Sequence, residues 1–252
     1  MTDLLNALQD MTLPMSAEDT KSPFRCLLYG DYGAGKTWLS GQIGKAISGK
    51  QLFVTTDDNW VVLNKDLDVW NSVYRVPYEG FTQMELIAAA HTAGIEPYVQ
   101  AKTLTWDAVS TGLQITLRNL VDLKKFPKQQ MDPEIEGFAH YRMIRNMLRK
   151  TILELHKSKL NIIYTAHIRD PLGSEQGDTK FATRANMPEA SYSVLAEQVQ
   201  AIGWVYKEKK GGKRLVQFEG TVREAAKSQL PTIEEATYSV EEIPELVRKW
   251  TE

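Results

Sequence analysis

The sequence predicts an α/β fold, a mainly parallel central sheet flanked by helices, on three observations. An apolar run, Arg25–Tyr29, leads into Gly-Asp-Tyr-Gly-Ala-Gly-Lys-Thr at 30–37, and Thr37–Ile47 follows with helical spacing, so strand, glycine-rich loop and helix adjoin one another. Strand-like and helix-like patterns then alternate along the chain. The run Asn161–His167 is apolar up to its polar last residue, as a buried strand is.

Taken in order, residues 1–22 carry a short apolar stripe, Leu4, Leu5 and Leu8, and then a polar tract; they read as an arm, either packed on its own domain or docked on a neighbouring subunit. The loop fits the phosphate-binding pattern G-x-x-x-x-G-K-[ST]. Gly30, Gly33 and Gly35 let the main chain curl round a polyphosphate, with N–H groups and a helix N-terminus aimed at its charge. The expected nucleotide-binding stretch is Gly30, Asp31, Tyr32, Gly33, Ala34, Gly35, Lys36, Thr37 and Trp38. Lys36 is expected on the β- and γ-phosphates and the Thr37 hydroxyl on Mg²⁺, the metal that accompanies ATP.

Gln51–Thr56 is a second strand, ending in Asp57 and Asp58. Ser72–Val76 is another, and Thr82-Gln83-Met84-Glu85 has the form of a capping box opening a helix to about Thr92. Lys102–Asp107 places an acidic side chain at a strand end, where it would hold the Mg²⁺ shell opposite Thr37; taken alone, such a residue is more often a cap for the helix Ala108–Leu120, and the phosphate loop before it favours the metal role. Residues 121–137 read as an exposed loop containing Lys128. Phe138–His156 is a long helix, with Arg142, Arg145 and Arg149 on a solvated face. His167 ends its strand either as an ordinary satisfied histidine or as a γ-phosphate sensor. Residues 172–191 form a long loop, either a plain mobile surface loop or one in which Lys180, Phe181 and Arg184 grip phosphates and stack on bases. Ala201–Tyr206, Gly211-Gly212 and Leu215–Phe218 predict a C-terminal β-hairpin with a basic tip, and an amphipathic helix closes the chain.

Composition narrows the function. The 252 residues are 42% hydrophobic and carry a formal net charge of −2, with a pI near 6.1, so nucleic acid would have to be met by local patches and not by a global basic field. The single cysteine, Cys26, excludes an intrachain disulfide and suits a reducing compartment. No apolar run reaches membrane-spanning length, and the expectation is a soluble, cytoplasmic protein.

In order and content these features resemble the core of a RecA-like P-loop ATPase, and most closely the small phage-type proteins of the AAA-24 nucleotide-binding family. The resemblance rests on the phosphate loop, on Phe53–Asp58, Leu104–Val109 and Ile162–Arg169, and it spans about Phe24 to Pro231. It implies an ATPase domain at 23–231, a helical tail at 232–252, and Mg²⁺-dependent ATP hydrolysis coupled to single-stranded DNA in recombination or annealing. It implies Asp57, or Asp58 beside it, as the residue that orients the attacking water, and His167 in the position where recombinases commonly carry Gln. The stretches after His167, with Arg169, and around Lys128 correspond to DNA-binding loops. A homo-oligomer, ring or filament, is implied, with Lys227 or else Arg223 meeting a neighbour's γ-phosphate, and phage or host recombination proteins as partners. Two other readings compete: a nucleoside or nucleotide kinase with Arg169 and Arg184 as its lid, and a nucleotide-gated DNA-binding assembly with little turnover.

Overall fold

The computed structural model describes residues 22–47, 49–122, 138–168, 184–209, 211–220 and 225–251. Nine strands among them form one sheet: β1 (Arg25–Gly30), β2 (Lys50–Thr55), β3 (Val73–Pro77), β4 (Ala101–Asp107), β5 (Asn161–His167), β6 (Ala201–Lys207), β7 (Arg214–Gln217), β8 (Lys227–Ser228) and β9 (Thr237–Ser239). Their order is β3-β2-β4-β5-β1-β6-β7-β9, with β8 paired to β6. The pairings from β3 across to β6 are parallel, and β7, β8 and β9 add antiparallel. This is the expected α/β architecture, including the hairpin: β6 and β7 are joined through Gly211 and Gly212, at φ 91° and 67°, a left-handed backbone that glycine adopts without penalty.

The helices are α1 (Lys36–Ala46), α2 (Leu67–Ser72), α3 (Phe81–Thr92), α4 (Val109–Asp122), α5 (Phe138–Lys157), α6 (Glu189–Gln198) and α7 (Ile243–Thr251). Because successive strand side chains point to opposite faces, an apolar run such as β1 feeds two cores at once. Leu27 and Tyr29, with Leu104, Trp106, Ile162 and Tyr164, pack beneath α3, α4, α5 and α6. Cys26 and Leu28, with Ile163 and Val205, pack beneath α1 and α7. Cys26 is buried and free, and burial pushes its thiol pKa up, so it acts as a small apolar residue.

Thr237–Ser239 pairs with β7, and α7 lays Ile243 and Val247 into the core that Leu39 and Ile43 of α1 also enter. An amphipathic helix needs cover for its apolar side, and α1 supplies it. Residues 1–21, where the arm was expected, lie outside the described residues, as do 123–137 and 169–183. Among the described residues no helix is long and apolar enough to cross a membrane.

At the end of the sheet away from the glycine-rich loop, the half-buried His156 of α5 has its pKa lowered to about 4, first by burial and then by Arg25. In the unfolded chain a histidine titrates near 6.5, so the unfolded state takes up the proton first and folding loses stability as pH falls from about 6.5 towards 4. The expected result is a thermal midpoint that drops across that window, with a visibly shallower slope in His156→Gln.

Candidate nucleotide-binding site

Parallel pairing aligns the C-terminal ends of the strands, and register decides which residues meet there. Gly30 of β1 lies beside His167 of β5 and Val205 of β6, while Thr55 of β2 lies beside Asp107 of β4. The glycine-rich loop, Asp57, Asp107 and His167 are thus gathered along one edge, with β5 between the loop strand and the Asp107 strand. Ligands of open α/β sheets bind at such an edge.

The loop is built from both ends. Gly33 and Gly35 take φ 73° and 103°, which turns the chain into α1. Gly30 has a different reason to be glycine: a side chain there would run into the Val205 carbonyl of β6. The Lys36 ammonium is buried and donates to the Gly30 carbonyl at 2.9 Å and the Asp31 carbonyl at 2.8 Å. An ammonium has three N–H donors; two brace the loop, and the third is left for an anion in its bowl. Burial lowers the Lys36 pKa, and the carboxylates of Asp107, Asp31 and Asp57 oppose that shift.

Asp107 is buried at the end of β4. Its Oδ2 accepts from the Thr37 hydroxyl at 2.9 Å, its Oδ1 accepts from the Thr165 hydroxyl, and its carbonyl accepts from the Thr56 amide at 2.8 Å. Burial pushes its carboxyl pKa up, against the two hydroxyl donors. A carboxylate held there with only hydroxyl partners suits a nearby cation. Among the described residues no three His, Cys, Asp or Glu side chains gather to hold a metal. One hydroxyl and one carboxylate instead fit Mg²⁺, which is usually bound through one or two protein ligands, substrate phosphates and water.

Asp57 and Asp58 part company. The Asp57 carboxylate accepts from the Asn59 amide at 2.9 Å and the Asn59 side chain at 2.6 Å, and its charge acts on Lys36, Asp107 and His167. Asp58 is exposed and pairs with Arg75 at 2.9 Å, whose guanidinium lies 4.7 Å from the Trp60 ring. His167 stacks on Tyr32 of the loop, centroids 4.2 Å apart. Burial, and then Lys36, lowers the His167 pKa, which leaves the ring neutral near pH 7 with a buried Nδ1 that has no partner among the described residues.

The profile of the AAA_24 family, described as an AAA domain, matches residues 22–230. The chain belongs to the AAA_24 family. A search of curated proteins finds no match. Among solved structures, that of the RadB recombinase is similar, with a TM-score of 0.46 and 13% identity over 78% of this chain and 80% of that one.

Other expected residues of this AAA_24 domain fall elsewhere. Trp38, partly buried, packs against the core shared by α1 and α7, as its helical spacing in the sequence also allows. Lys227 lies on β8 opposite Ile202, near the start of β6, and donates to the Ala196 carbonyl at 2.6 Å; it is at the opposite end of the sheet from the Lys36 of its own chain. Arg184 is buried, ion-paired with Glu189 and 6.0 Å from the Tyr192 ring, so it does not present its guanidinium to solvent as a lid or DNA contact would. Lys128, Arg169, Lys180, Phe181 and Arg223 lie outside the described residues.

Three contributors were not anticipated. Thr165 sits two residues before His167 and so on the same strand face, a signal that strand periodicity carries. Ser110 accepts from the His167 amide at 3.2 Å, and nothing in the sequence marks it. Arg214 reaches the loop from β7: its Cδ and Nε lie 3.0 and 3.3 Å from where a Cβ on Gly35 would stand. The basic pair directly after the Gly-Gly turn was its only signal.

Proposed function

We propose that this AAA_24 protein binds ATP with Mg²⁺, hydrolyses it, and works with single-stranded DNA in phage-type recombination or annealing as a homo-oligomer. The observation that carries the nucleotide part is the Thr37–Asp107 hydrogen bond beside a braced Lys36. In this reading Lys36 holds the β- and γ-phosphates with its remaining donor, the α1 N-terminus faces their charge, and Thr37 and Asp107 hold the metal. When bound, Mg²⁺ neutralises charge on the phosphate oxygens. Asp57 orients the attacking water, held in position by Asn59. His167, neutral and stacked on Tyr32, offers a ring N–H or lone pair at the γ-phosphate end. The DNA part rests on family resemblance. A trans role for Lys227 would require a neighbour that brings β8 to the loop. The kinase alternative loses Arg184, tied to Glu189.

The test is ATP turnover with and without single-stranded DNA across a protein-concentration series, with labelled phosphate followed to water or to a nucleoside acceptor. Turnover that rises with DNA and with concentration is expected; transfer to the acceptor, or tight binding with no turnover, sinks the reading. In the same assay Asp57→Asn should lose about 10²-fold or more in turnover while still binding ATP, whereas Asp58→Asn, whose carboxylate points to Arg75, should stay near wild type.

A further inference from the structure

The hairpin β6–β7 does more than close the sheet. β6 runs alongside β1 to Val205 opposite Gly30 and then continues through Tyr206 to Lys207, past the point where the loop begins. Lys207 pairs with Arg214, so the start of β7 stands beside the loop. Its main chain is fixed on both sides, by Lys207 in the hairpin and by the Val240 amide, which donates to the Arg214 carbonyl at 3.2 Å. From this fixed root the Arg214 side chain lies across Gly35, the residue that opens α1.

The electrostatics of that position need explaining. A helix N-terminus carries partial positive charge, and Lys36 adds a full one. Arg214, whose Cδ and Nε reach the Gly35 position, brings a further full charge to that end of the helix, and among the described residues its side chain has no carboxylate partner in an ion pair. Such an arrangement becomes favourable when a multiply charged anion sits between the cations, and a forked guanidinium matches phosphate oxygens.

Building on the nucleotide reading above, we propose that Arg214 is a second phosphate-binding cation of the site, supplied in cis by β7, which clamps the polyphosphate of a nucleoside di- or triphosphate against the α1 N-terminus. It is a binding and positioning residue for the phosphates. It also ties nucleotide occupancy to the hairpin, since the same side chain belongs to the strand that carries the basic tip.

The experiment is calorimetric titration of the full chain with ATP, ADP and AMP in the presence of Mg²⁺, for wild type, Arg214→Ala, Arg214→Lys, Lys213→Ala as a neighbouring cation, and Lys36→Ala as the loop reference, with nucleotide-free melting of each. Loss of a charged hydrogen-bond partner predicts about tenfold to hundredfold weaker ATP and ADP binding in Arg214→Ala, little change for AMP, partial recovery in Arg214→Lys, and wild-type binding in Lys213→Ala. Nucleotide-free melting of Arg214→Ala should equal or exceed that of wild type. If Arg214→Ala binds ATP as wild type does while Lys36→Ala does not, the proposal falls and the nucleotide site stands. It also falls if Arg214→Ala melts lower without nucleotide and loses ATP and AMP alike, which would make the side chain a strap for the loop. If wild type binds none of the three, the nucleotide reading itself is overturned, and Arg214's role with it.

Discussion

Lys36→Ala should abolish measurable ATP turnover, by about 10²–10³-fold or more, the cost seen when one charge-stabilising donor is removed from a phosphoryl or acyl transfer site. The effect is expected to be large because Lys36 does two jobs in one place. In the proposed reading it supplies a donor to the phosphates, and it joins the two loop carbonyls of Gly30 and Asp31 that shape the bowl. Lys36→Arg should not rescue it: a planar fork cannot reproduce a compact ammonium that donates to two main-chain carbonyls at 2.8–2.9 Å within a buried loop. Fold stability, by contrast, should hold, since burial disfavours the Lys36 charge in the first place. Melting with saturating nucleotide reads both effects. Wild type gains roughly 2.7 kcal/mol at a hundredfold excess over Kd, and the variant should gain nothing while its nucleotide-free midpoint stays in place. An equal nucleotide-induced shift in both proteins would remove the loop from the mechanism.

Trp106→Ala should be the most damaging single change to stability, at about 3–5 kcal/mol. Trp106 is fully buried in β4, with ring centroids of Tyr78, Phe81 and Tyr164 at 5.4, 5.9 and 6.2 Å. Its indole also approaches Gly112 of α4, where an added Cβ would stand 3.0 Å from Nε1. Three elements, α3, α4 and β5, and the β3–α3 connection that carries Tyr78 therefore close on one ring, and no single neighbour can collapse into the space it leaves. For a chain of this length each kcal/mol moves the midpoint by roughly 2–4 °C, so a fall on the order of 10 °C is expected in a thermal scan. Trp106→Phe should cost much less. A midpoint within a degree or two of wild type for the alanine variant would mean that β4 is not held by this cluster. Because Asp107 follows Trp106 directly, nucleotide affinity should be compared well below the variant's midpoint.

The site was legible where chemistry and strand ends coincide. The loop announces itself by residue type, and Asp107 and His167 each stand last in an apolar run, so a parallel sheet brings them to one edge. Asp57 and Asp58 were not separable, because which of two successive carboxylates points inward depends on the turn into Asn59 and on an Arg75 partner 17 residues away. The expected capping box at Thr82 gave way to Gly80 as the residue before α3, with Gln83 accepting from the Glu79 amide at 2.9 Å instead; local hydrogen bonding outranked the motif. Strands β8 and β9, of two and three residues, are too short to show any periodicity, so the antiparallel side of the sheet stayed hidden beyond its hairpin. Arg214 was hidden for another reason: 179 residues separate it from Gly35, and only the sheet order makes them neighbours.

The contact between α7 and α1 has a practical side. A shortened version ending at residue 231, the boundary that the sequence suggests, would leave Leu39 and Ile43 without the apolar cover of Ile243 and Val247. The helix so bared is the one whose first residue is Lys36. Trimming or fusing at the carboxyl end is therefore felt at the glycine-rich loop, although the two are far apart in the chain.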